Sequence, residues 1–276
     1  MSSPDFYARQ DALTDPGTLS GLFDGLPEDP AALRELVSRL IVHVGWAANY
    51  GIPPDTPMPR ETLPVTRRLA LTQSAFRAPL TLPRSPAQRT FGTCRDYSLM
   101  LTAMLRQRAI PARVRCGFAT YFTSAPYEDH WICEYWSAAQ ARWVRADAQI
   151  DERLREQLVI TFDCADLPKQ SFLAAGQAWQ LARSGSVDAD IFAHGNDRGW
   201  WFLRVNVHRD LLALTNQQTS AWDGWRGSTA ENKQLTLSAF AAVDRIADAC
   251  GAVDSPDQVG ILQELAAANQ TPPWQA

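Results

Sequence analysis

The sequence predicts an α+β protein in which one helix and three short strands form a core and further helices surround it. Three observations carry this expectation. Residues 91–147 read as a helix followed by three β-rich runs. Beyond about residue 152, apolar residues recur at helical spacing. Ahead of the core, residues 52–64 carry five prolines in thirteen positions, a stiff connection rather than an element. With 276 residues, 46% of them apolar, the chain can bury a sizeable core, and one domain over 1–276 is the simplest organisation.

Residues 1–28 mix Asp, Pro, Gly and Ser without periodicity and read as a surface-hugging lead. Asp29 then caps a helix opening on Pro30, with Leu33, Leu36, Val37, Leu40, Ile41 and Val44 on one face and Gly51 as its stop. Residues 29–59 are thus an N-terminal helix and proline-rich loop, and a short helix follows over 65–76. Thr93 caps the helix CRDYSLMLTAMLRQRA, and Asp96, three residues on, completes a capping box. Ile110-Pro111 ends that helix and ARVRCGFATYF alternates as a strand. His130–Trp136 and Arg142–Asp147 form a hairpin. If residues 137–140 are its loop, Trp136 opposes Ala141 and His130 opposes Asp147. Residues 151–276 form a mainly helical extension, with helices over 170–183, 200–214, 235–250 and from the Ser-Pro-Asp-Gln start at Ser255.

Composition narrows the function. The 26 Lys and Arg against 30 Asp and Glu leave a net charge of −4, so the chain lacks the basic footprint of a nucleic-acid or anionic-membrane partner. No apolar run approaches the roughly 20 residues of a membrane span. The polar start, without a basic-then-apolar secretory pattern, and the odd count of five cysteines lead to the expectation of a cytoplasmic protein with free thiols.

One cysteine stands in a reactive setting. Cys94 opens a helix just after Gly92-Thr93, where unpaired N–H groups and the positive helix end favour a thiolate and can donate to a developing oxyanion. His130 is the histidine whose strand follows that helix, and Asp147 ends the next strand. A carboxylate beside an imidazole fixes its tautomer and stabilises the imidazolium. A second oxyanion donor is expected upstream, either the Gln88 amide or the Trp46 indole N–H.

GTCRDYSLMLTAMLRQRAIPARVRCGF, then HWICEYW, then RWVRADA, resembles the core of the transglutaminase-like superfamily over roughly residues 60–150. The resemblance implies a papain-like α+β fold, with the nucleophile helix packed on an antiparallel sheet and extra N- and C-terminal helices. It implies Cys94 as nucleophile, His130 as base and Asp147 as the orienting acid, with no metal or organic cofactor. Ala148 stands where the family commonly has proline. The activity implied is attack on an amide or thioester carbonyl through an acyl-enzyme. Peptide or amide hydrolysis is expected first, with acyl transfer to an amine and a non-catalytic binding protein as alternatives. The expected partner is a peptide, protein or small amide or thioester.

The remaining chemistry-bearing residues have plainer readings. Cys116, Cys133, Cys164 and Cys250 lack metal-ligand spacing and read as core thiols. His43, within the first helix, and His208 read as structural, and His194 as part of a surface loop. Glu134 and Asp151 are alternative orienting carboxylates, with solvated strand-edge charges as their plainer reading. Trp131, on the hairpin, and Trp200 and Trp201, in the extension, are the expected substrate-groove aromatics.

Overall fold

The computed structural model describes residues 3–59, 62–255 and 257–275. Arg60 and Glu61 of the proline-rich loop and Pro256 of the Ser-Pro-Asp-Gln start lie outside the described residues. In chain order the elements are α1 (Ser3–Tyr7), α2 (Pro30–Ser38), β1 (Ile41–His43), α3 (Val65–Ala75), β2 (Thr90–Gly92), α4 (Cys94–Arg106), β3 (Ala112–Ala119), β4 (Tyr127–Ser137), β5 (Arg142–Ala146) and α5 (Glu152–Gln157). They continue with β6 (Phe172–Ala174), α6 (Ala175–Arg183), β7 (Phe192–His194), β8 (Asp197–Arg198), α7 (Trp200–Leu214), α8 (Leu237–Gly251) and α9 (Gln258–Ala268). The fold is mixed α+β, as predicted. Its strand pairing is mixed too, with parallel pairs beside the antiparallel ones that the sequence led us to expect. Among the described residues no helix is long and apolar enough to cross a membrane.

The chain packs as two compact units. Tyr7–Val114 and Ile132–Leu167 form the α4 unit; Met1–Phe6, Arg115–Trp131 and Pro168–Ala276 form the α7 unit. β3 and β4 each contribute residues to both.

In the α4 unit, Asp29 caps α2 by accepting the Ala32 N–H at 2.9 Å. The helix stops at Ser38 rather than running to Gly51. Ile41, Val42 and His43 instead pair in parallel with Thr90, Phe91 and Gly92. β-branched residues fit a pleated, half-buried strand better than a helix interior, and the long-range ladder decides in favour of strand. A 3-10 turn, Val44–Tyr50, then ends at Gly51 in the left-handed region (φ 72°), so Gly51 stops this turn and not the helix that opens at Pro30. α4 is buried along almost its whole length, and Tyr97 ties it to β1 by donating to Ile41 O at 2.9 Å. Its contact with the hairpin runs through Thr102 Oγ1, which donates to Cys133 Sγ at 3.3 Å.

The β4–β5 hairpin differs from the prediction by two positions. Ser137 pairs with Arg142 and Trp136 with Trp143, so the connection is 138–141. A turn from Ser137 O to Gln140 N followed by Ala141 at φ 48° closes it, a turn-plus-left-handed combination that favours this length. The observed register also sets Trp136 edge-to-face against Trp143, with centroids 5.8 Å apart. Its last pair toward the open end is Cys133–Ala146, so the direct ladder pairing of His130 with Asp147 does not form. An even shift leaves every side chain on the face that the pattern assigned.

In the α7 unit, β6 runs antiparallel to the end of β3, β7 runs parallel to the start of β4, and β8 closes a hairpin on β7. Gly117 is required where β3 meets β6, since a Cβ there would lie 2.1 Å from Leu173 O. α6, α7 and α8 pack together, and α9 packs on α7 and α8. Asp210 of α7 accepts Arg115 Nε and Nη2 at 3.0 and 2.8 Å and the Cys116 N–H at 2.9 Å, which bolts helix to strand. The helices predicted for the extension are present. The first begins at Ala175 because Phe172–Ala174 is taken by β6, and the last begins at Gln258, behind Asp257 at φ 64°, instead of at Ser255.

The junction between β2 and α4 rests on a buried ion pair. Arg68 of α3 lies 2.7 Å from Asp96 Oδ1 and donates to Thr62 Oγ1, Thr90 Oγ1 and Phe91 O at 2.6, 3.0 and 2.5 Å. Burial alone would raise the Asp96 carboxyl, but Arg68, with Thr62 and the Thr93 N–H, outweighs it and holds the group below the ordinary carboxylate value. Replacing Arg68 by Met should cost about 3–5 kcal/mol, because it strands a buried charge. Urea unfolding checks this. Asp96 titrates lower when folded than when unfolded, so its contribution is complete above about pH 4 and fades as the pH falls through the folded value. The gap between wild type and R68M should therefore narrow in acid.

Candidate active site

Cys94 is the first residue of α4, and of the five free cysteines it is the one that is not buried. The capping box is present: the Thr93 N–H and Oγ1 both donate to Asp96 Oδ2, at 2.7 and 3.1 Å. Just before it, Gly92 must be glycine, since a Cβ would lie 2.7 Å from Arg68 Nη2 and 2.9 Å from Asp96 Oδ2. The strand, the cap and the ion pair fix where the Cys94 backbone sits, at the N-terminal end of α4.

Two upstream candidates flank this junction. β1 ends at His43, the register partner of Gly92, and the 3-10 turn that follows carries Trp46, half-buried. His43 is therefore a strand-end residue, not a helical one, and its Nδ1 caps the turn by accepting the Gly45 N–H at 3.1 Å. Gln88 closes a short turn, where its Oε1 accepts from Ser85 N and Ser85 Oγ, each at 3.0 Å.

Asp147 follows β5 and is buried. Its N–H donates to Cys164 O at 2.8 Å, its Oδ1 accepts the Gln149 N–H at 2.8 Å, and its carbonyl accepts Arg34 Nη1 at 3.3 Å. The two other carboxylates considered from sequence are not solvated edge charges. Glu134 is buried between Arg113 and Arg145, at 2.8 and 3.2 Å. Asp151 caps α5 and accepts from Tyr50 Oη and Arg89 Nη1 at 2.8 and 3.2 Å. Ion pairing with arginines satisfies both carboxylates where they are buried.

His130 lies in the α7 unit, on β4, with 2% of its surface exposed. Phe122 and Tyr121 meet its ring edge-on, with centroids at 4.9 and 5.9 Å. Next to it, Trp131 is buried beneath the Arg209 guanidinium, 4.8 Å from the ring centroid. Trp200 is half-buried among Trp179 and Phe240, at 5.2 and 5.1 Å. Trp201 packs on Trp225 with Lys233 Nζ 4.2 Å from its ring centroid. So Cys94, Asp147, Trp46 and Gln88 belong to the α4 unit, and His130, Trp131, Trp200 and Trp201 to the α7 unit.

The remaining thiols are sequestered. Burial pushes Cys133 up to about 12, Cys164 up to about 11 and Cys250 well above the ordinary thiol value. Cys116 is buried with its Sγ 3.1 Å from Asn206 Oδ1.

Residues 73–148 match the model of the transglutaminase-like superfamily, and that segment contains Cys94, His130 and Asp147 together. That segment is similar to a transglutaminase-like core. In chain order it is preceded by α2 and the 3-10 turn and followed by the helices of the extension. A crystal structure of a candidate cysteine protease from Cytophaga hutchinsonii is similar at 15% identity and a TM-score of 0.33, over 52% of this chain. The chain spans 40% of that relative's length. No curated protein matches the chain.

Within residues 73–148, sequence reasoning missed Tyr121 and Phe122, the aromatic pair against His130. Their signal was present as the end of GFATYF, where it read as more strand. β3 stops at Ala119 and the pair falls on the loop before β4. That loop is held by a short chain of polar contacts. Ser124 Oγ donates to Glu128 Oε2 at 2.7 Å, and His194 Nδ1 sits 2.6 Å from Glu128 Oε1. The hydrogen bond to Glu128 raises the His194 pKa above its ordinary value of 6.5, with Asp129 adding to it and burial and Arg226 opposing. A raised folded value means that the pair's stabilisation is complete below about pH 6.5 and is lost as the pH rises through the folded value. H194Q should therefore lower the melting temperature relative to wild type at pH 6, with the difference shrinking toward about pH 9. Thermal denaturation of both proteins across that range checks it.

Proposed function

We propose that the chain is a cysteine enzyme that opens an amide or thioester carbonyl through an acyl-enzyme on Cys94. The observation that carries the reading is the presence of Cys94, His130 and Asp147, in that order, within the one segment that matches the superfamily. The position of Cys94 at the start of α4 supports it, as does the sequestration of the other four thiols.

In this reading His130 takes the Cys94 proton and the sulfur attacks the carbonyl carbon. The oxyanion is met by amides of the first α4 turn and by a second donor. The candidates for that donor are the indole N–H of Trp46, whose turn follows the strand that pairs with the Cys94 approach, and the side-chain N–H of Gln88, whose oxygen is held by Ser85. The C–N or C–S bond then breaks, and the leaving group takes the proton from the imidazolium. Asp147 holds the tautomer. Water adds to the thioester carbonyl, gives its proton to His130, and releases the acid with the thiol restored. Water is the proposed acceptor; a primary amine at the same step would give acyl transfer.

Iodoacetamide labelling at pH 6 with peptide mass mapping tests the nucleophile. Cys94 should label at least about tenfold faster than Cys116, Cys133, Cys164 or Cys250, and H130Q should slow it. Comparable rates at all five cysteines would remove Cys94 from the role.

A further inference from the structure

Arg209 lies on α7, far outside the segment that matches the superfamily, and is 8% exposed. A guanidinium so buried is costly unless each side of it is met. Its Nη1 is 3.1 Å from Asp129 Oδ2 and donates to Asn206 Oδ1 at 2.9 Å, Nη2 lies 3.6 Å from Asp223 Oδ1, and Cζ stands 4.8 Å from the Trp131 ring centroid. Asp129 and Trp131 are the residues immediately before and after His130. On a strand, alternate residues share a face, so one guanidinium grips both neighbours of the histidine from the face opposite its ring. On the ring's side, Phe122 and Tyr121 meet it edge-on.

We propose that Arg209 is a positioning residue for His130, clamping the strand on either side of it through the ion pair to Asp129 and the stack on Trp131. This gives part of the helical extension a role in the chemistry, and it rests on His130 being the base. A lysine retains the charge for Asp129 and Asp223 but lacks the flat fork that also covers an indole, so it keeps only part of the clamp.

The test is the pH dependence of Cys94 alkylation by iodoacetamide in the full chain, for wild type, H130Q, R209Q and R209K. The four buried cysteines serve as internal reporters of folding. H130Q should remove the step that runs through the imidazole range. R209Q should displace that step and lower the pH 6 rate about tenfold while the four buried thiols stay unreactive, and R209K should fall between the two. A profile unchanged by H130Q overturns the base reading, and the clamp with it. A step lost in H130Q but identical to wild type in folded R209Q and R209K overturns the clamp alone. Should R209Q expose the buried cysteines, R209K decides. R209K exposing them as well would assign Arg209 to the fold and overturn the proposal.

Discussion

The buried pair of Arg68 and Asp96 is the constraint on which the α4 unit depends. Asp96 serves at once as partner of a buried cation, acceptor for the Thr93 cap and neighbour of Thr62. Arg68 spends its donors on the strand that leads into the helix. The two together hold β2, the cap and the start of α4 in one geometry, and Gly92 is small because both come within contact distance of it. Removing either partner would leave the other charged and dry, which is the costly state. The half-buried Cys94 therefore begins a helix whose start is held by that pair.

The α7 unit repeats the device with different residues. Asp210 takes Arg115 and a β3 amide, while Arg209, the adjacent residue on the same helix, takes Asp129 and Trp131 of β4. Consecutive residues of opposite charge thus fasten one helix to two strands. For Arg209, burial alone would disfavour the cation, but Asp129 and the other surrounding groups raise its pKa above the ordinary arginine value, so it remains charged. Buried polar contacts of this kind fix geometry more than they add stability. That is what a strand carrying a candidate base requires.

Much of this was legible in the sequence wherever local signals and tertiary packing agreed. The Asp29 and Thr93 caps, α3, α4, the hairpin strands and the helices of the extension all follow from capping, periodicity and proline placement. Two departures came where a distant partner decided. Ile41–His43 had helical spacing but became a strand because β2 lies alongside it, and the start of the 170–183 helix was drawn into β6 by β3. The hairpin slipped by two positions because Ala141 adopts a left-handed conformation, a choice that propensity does not signal. For the candidate site, the motif residues could be read in advance, whereas Arg209, Phe122 and Tyr121 could not. Their link to His130 exists only through packing.

The measurement that bears most directly on the account is intact-protein mass spectrometry after mixing with a small activated thioester or aryl ester. Wild type should turn the ester over while carrying at most one acyl group, mapped to Cys94. H130Q should acylate slowly and retain the adduct, and C94A should carry none. Acyl groups distributed over several residues, or a single adduct that persists in C94A, would contradict it.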